Sequence, residues 1–105
     1  MFICEMTGST ILIKASLGET SKYSELSSCI NDYKAQFTSS YKVVKLSLEN
    51  NKDALSALND YASLVLATYD DLSIRTGESN KNYSYRFAES ERTINTKASF
   101  LMLQL

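Results

Sequence analysis

Residues 11–48 carry the pattern that most narrows the folds open to this chain: a hydrophobic run, a Gly18-Glu19-Thr20 turn, a long amphipathic helix pattern, and a second hydrophobic run of strand type. Taken together these predict a strand–helix–strand unit, with two parallel strands joined by a helical crossover. Within residues 10–16, Ile11, Leu12 and Ile13 stand in unbroken succession, the signature of a strand covered on both faces. Tyr23, Leu26, Ile30, Tyr33 and Phe37 recur at helical spacing behind a Thr20 or Ser21 N-cap and predict the first helix. Residues 41–48 alternate around Val43, Val44, Leu46 and Leu48 and predict the second strand.

Asn50 or Asn51 is placed to cap a second helix, with Leu55, Leu58, Ala62 and Val65 along one face. Asp70 and Asp71 oppose the negative end of a helix dipole, so this helix is expected to stop near Ala67 and leave residues 72–75 for a short strand. Residues 76–82 form a polar, Gly-containing loop. Tyr83, Tyr85 and Phe87 alternate with Ser84 and Arg86, which predicts a strand with one buried face and completes a β-hairpin. Beyond it both periods are present. Ile94, Ala98, Leu101 and Leu105 fit a helix, whereas Ile94, Thr96, Ala98, Phe100 and Met102 fit a strand; Ser90 followed by Glu91 favours the helix. The resulting order is strand, helix, strand, helix, strand, strand, helix. This is an α/β (α+β) class of chain, a single domain over residues 1–105 with a mixed four-stranded sheet and helices on both faces.

Eleven basic residues balance twelve acidic ones without any basic stripe, which argues against a nucleic-acid binder. No apolar run is long enough to span a membrane and no secretory leader pattern is present, so a cytoplasmic location is expected. Histidine is absent, which removes the commonest general base and metal ligand. Cys4 and Cys29 match neither a Cys-x-x-Cys motif nor a metal-ligand spacing, and both are expected as free thiols, Cys29 packing as a small hydrophobe. Asp70, Asp71 and Glu78 read as solvated loop acids rather than a cation site, and the aromatic run at residues 83–87 as core rather than a base-stacking platform. The sequence thus supplies no catalytic, cofactor-binding or metal residues. Its candidate partner-binding residues are Tyr41, Lys42 and Lys45, placed on an edge strand where lysines guard against pairing or steer a partner.

Four short stretches carry a family resemblance: Ile11-Leu12-Ile13-Lys14 running into Gly18-x-Thr20, residues 43–51, Leu66-Ala67-Thr68, and Phe87-Ala88-Glu89-Ser90. Over these the chain resembles the KaiB-like family of thioredoxin-like domains, which includes clock proteins and the N-terminal sensor domains of clock-output histidine kinases. Tyr69 and Lys52 stand where that family usually carries proline. The resemblance implies a thioredoxin-like fold, a capacity to switch folds, and docking on a signalling ATPase or kinase without catalysis. The expected function is accordingly a non-catalytic protein–protein interaction module, a KaiB-like signalling or clock-type adaptor; the alternative is a small phage or mobile-element inhibitor that occludes a host protein. Self-association through the edge strand or the apolar residues 100–105 is a further expectation.

Overall fold

The computed structural model describes residues 2–16 and 23–105. They form four helices, α1 (Phe2–Ser16), α2 (Tyr23–Ser47), α3 (Lys52–Asp70) and α4 (Asn80–Gln104), and no strand occurs among the described residues. This overturns the α/β thioredoxin-like and KaiB-like expectations, because that fold requires a sheet. Of the four expected strands, residues 10–16 lie in α1, 41–48 run through the last turns of α2, 83–87 lie in α4, and 72–75 fall in the α3–α4 connection. The implied fold switching and clock-type docking lose their basis with the resemblance.

Each misreading has a physical reason. The run Ile11-Leu12-Ile13 is rich in β-branched residues, but a helix tolerates these at a cost of a few tenths of a kcal/mol each when packing favours it. Cys4, Gly8 and Ile11 form the buried stripe of α1 at offsets of four and three, while Ile13 is exposed. α2 continues past Phe37 because hydroxyl groups that might break it fold back on the helix: Thr38 Oγ1 donates to the Lys34 carbonyl at 2.8 Å. α3 runs to Asp70 because cations from elsewhere in the fold reach its C-terminal end. Lys34 pairs with Asp70, and Arg75 and Arg86 each lie 3.2 Å from Asp71.

α4 begins well before Ser90. Ser79 is its N-cap, accepting from the Asn82 amide at 3.1 Å. Tyr83, Phe87 and Ile94 are buried at helical spacing, whereas Tyr85 is 69% exposed, so the apparent alternation of residues 83–87 is incidental. Asn51 caps α3 as expected, its side chain accepting from the Ala54 amide at 3.1 Å.

Each helix packs antiparallel on the next, and α4 returns to α1. Cys4 meets Cys29 between α1 and α2, Phe37 meets Tyr61 between α2 and α3, Tyr83 reaches Leu72 at the α3–α4 corner, and Ser9 meets Ser84 between α1 and α4. The result is an up-down-up-down bundle drawn out to 55 × 22 × 17 Å.

Two features hold α1 to its neighbours. Cys4 and Cys29 form a disulfide with Cα atoms 5.6 Å apart, which corrects the free-thiol expectation. The 25-residue separation revealed no motif, but helical geometry brings both residues to one seam. On the other side, a Cβ at Gly8 would lie 2.7 Å from Cε1 of Tyr83. That ring is fully buried, and its hydroxyl donates to the Leu72 carbonyl at 2.8 Å, so it has nowhere to go.

Replacing both cysteines with alanine should lower unfolding free energy by about 3.5 kcal/mol, the chain-entropy value for a loop of this length, measured by urea denaturation. Gly8→Ala improves helix propensity yet should cost about 1–3 kcal/mol through overpacking against Tyr83. A stabilised G8A protein would contradict this account of the α1–α4 contact.

Candidate functional site

α1 has 15 residues against 25 in each of α2 and α4, and among the described residues no fourth helix lies beside the far ends of the two longer ones. The contacts of Cys4 with Cys29 and of Glu5 with Glu91 mark the level of the first turn of α1. Four helical turns beyond Cys29, the same side of α2 presents Val43 and Val44; five turns beyond Ser84, that side of α4 presents Met102. Val43 is 65% exposed and Met102 73% exposed. Leu46, Phe100, Leu103 and Leu105 are exposed as well, and the hydrogen bond from Asn51 Nδ2 to the Gln104 carbonyl, 3.3 Å, shows that all belong to one end of the rod. A cluster of large apolar side chains on this scale is more than a monomer needs to expose.

Where the covered half of the bundle meets this open half, α2, α3 and α4 line an open pocket of about 310 Å³. Phe37 and Tyr61 form one wall in an edge-to-face pair with centroids 6.0 Å apart. Val65, Tyr69 and Ile94, all buried, supply the rest of the apolar lining. Glu91 and the exposed Asn95 are its polar residues.

Glu91 does not sit there alone. Its Oε1 is buried and accepts no hydrogen bond from a fixed donor, and its partner across the α1–α4 seam is Glu5. Burial, a hydrogen bond to Glu91 and the negative charge of Glu91 push the Glu5 carboxyl up to about 7. At lower pH Glu5 therefore keeps its proton. Tyr83 also faces Glu5, and burial pushes its phenol up to about 12, so it remains neutral. No group of three or more Asp, Glu, Cys or His side chains able to hold a metal occurs among the described residues.

A second polar cluster closes the opposite end. The Arg86 guanidinium lies 4.4 Å from the Phe87 ring centroid, pairs with Glu78 at 2.7 Å and donates to the carbonyls of Asp71 and Ser73. Glu78 is held below the usual carboxylate range, chiefly by the hydrogen bond from Arg86. Asp71 and Glu78 thus brace the α3–α4 connection through Arg86; Glu78 is withdrawn from water, whereas Asp70 and Asp71 stay exposed as the sequence suggests.

Tyr41, Lys42 and Lys45 lie on α2, so the strand edge expected for them does not exist. The Tyr41 hydroxyl bonds Asn59 Oδ1 across the α2–α3 seam, and Lys45 Nζ sits 5.7 Å from the Tyr41 ring centroid. Lys42 and Lys45 are exposed near the apolar end. Comparison with known proteins finds no matching family model, no matching curated protein and no matching solved structure.

Neither Glu5 nor Glu91 was singled out from the sequence. Their signal was present: read as one helix, Tyr83, Phe87, Ile94, Ala98 and Leu101 form a single stripe, and Glu91 falls inside it.

The Glu5 pair sets a pH dependence. A carboxyl whose folded pKa is raised favours the native state while protonated, so this contribution falls as pH rises from the ordinary glutamate range, about 4.5, to about 7. Discounted for partial solvent screening, the loss should be on the order of 2 kcal/mol. Glu5→Gln should remove it, leaving a protein more stable than the parent at about pH 8 and similar at about pH 5, read from urea midpoints at the two pH values.

Proposed function

We propose that this protein is a non-catalytic protein-interaction module whose open half receives an amphipathic helix from a partner. The observation that carries this reading is the exposure of Val43, Val44 and Met102 among the described residues, apolar side chains on the sides of α2 and α4 that continue the line of α1. A helix laid there would complete the four-helix cross-section and bury its own apolar stripe, the helix-in-groove mode of recognition. Lys42 and Lys45, exposed on neighbouring turns, favour acidic residues flanking that stripe by charge steering, with Tyr41 retained as a tie to α3.

No helix among the described residues is long and apolar enough to cross a membrane. The Cys4–Cys29 disulfide supports residence in an oxidising compartment, in place of the cytoplasm expected from the sequence.

A photo-crosslinking residue at Val43 or Met102, introduced in the native host, should trap a second protein through a helical segment. The same residue at Tyr85, on the outer side of α4, should not. Val43→Asp with Met102→Asp changes only exposed positions, so it should keep the fold by circular dichroism and weaken capture at least tenfold. Adducts solely between copies of this chain, or equal trapping at Tyr85, would refute the partner-helix reading.

A further inference from the structure

We propose that the open pocket between α2, α3 and α4 is the socket for an aromatic anchor on the partner helix, and that this helix is acidic and carries a second apolar residue seven positions from the anchor. The partner helix is the one whose docking is proposed above, on which this assignment rests, and the pocket adds a sequence pattern to it.

Bundle geometry decides which way the pocket opens. Among the described residues α2 and α4 pack on α1 and on α3 but not on one another, so they stand at opposite corners of the cross-section. A pocket lined by Phe37 of α2, by Tyr61, Val65 and Tyr69 of α3, and by Ile94 and Asn95 of α4 therefore has α3 as its floor and opens toward the remaining corner, in line with α1. Its space of about 310 Å³ is ample for an aromatic side chain, since roughly 150 Å³ already admits benzene. Three aromatic rings in the lining favour such a guest through edge-to-face contact.

Register and charge describe the rest of the helix. From Phe37 to Val44 on α2, and from Asn95 to Met102 on α4, the step is seven residues, about 10.5 Å along either axis. α2 and α4 run parallel, so both steps lead from the pocket to one further level, where Val44 and Met102 are exposed. A side chain seven residues from the anchor returns to the same face of its helix after two turns and lands there. Residues 38–47 of α2 and 93–105 of α4 hold the exposed Lys42, Lys45 and Lys97 and no aspartate or glutamate. A second copy presenting this face would set lysines against lysines, whereas glutamates beside the apolar stripe of a partner would meet them.

The test titrates synthetic helical peptides of alanine and glutamate into the intact, oxidised protein at low salt, followed by amide NMR. A peptide with tryptophan and leucine seven residues apart should shift the amides of Tyr61, Val65 and Asn95 together with those of Val44 and Met102. Its isomer with the two residues nine apart, on opposite faces, should bind at least tenfold more weakly, and so should the versions with alanine for tryptophan or lysine for glutamate. Equal binding by any of these three, or shifts that spare Tyr61, Val65 and Asn95, would overturn the proposal. If the alanine version binds as tightly while shifting Val44 and Met102, the docking surface stands and the anchor alone fails. If no peptide binds, the anchor fails, and crosslinking at Val43 and Met102 decides the docking reading separately. Free indole binding as tightly as the tryptophan peptide would assign the pocket to a small ligand, and a dimer dispersed by Met102→Asp would assign the face to a second copy; either result also overturns the proposal.

Discussion

The seating of α1 decides the rest of this architecture. Apolar residues lie on several sides of that helix, so burial alone gives it little reason to choose one orientation. Its placement comes from the disulfide on the α2 side and from the absence of a side chain at Gly8 on the α4 side, where Tyr83 comes within van der Waals reach of the backbone. A glycine inside a helix costs about 1 kcal/mol in propensity, and here that cost admits a fully buried aromatic ring. With α1 fixed by its first two turns, both the covered half and the open half of the bundle are defined.

The two ends of the rod differ in kind. One is closed by a connection whose carbonyls and carboxylates converge on Arg86, with Phe87 beneath the guanidinium and Tyr83 bonded to Leu72. Such a cluster is satisfied internally and offers little to a partner. The other end exposes Val43, Leu46, Met102 and Leu103, with no comparable polar network to occupy it. The pocket and the Glu5–Glu91 pair lie between these regimes, at the level where, among the described residues, a four-helix cross-section gives way to three.

The helices with a single strong stripe were legible from the residues alone. Leu26, Ile30, Phe37 and Leu58, Ala62, Val65 declare their period, and Asn51 announces the start of α3. What misled was local composition in competition with tertiary contacts. Ile11-Leu12-Ile13 and Val43-Val44 favour strands taken alone. The ion pairs that let α3 run on to Asp70 come from Lys34 and Arg86, distant in sequence and invisible to any short window. The candidate site suffered most from the strand assignment. Once residues 83–87 were taken as a strand, Glu91 lost its place on the stripe of α4 and its relation to Glu5 disappeared.

Cys4 and Glu5 are consecutive residues on the first turns of α1, one bound covalently to α2 and the other hydrogen-bonded to Glu91 of α4. Adjacent side chains thus fasten one turn of helix to two different neighbours, and the start of α1 cannot rotate about its own axis without disturbing both contacts.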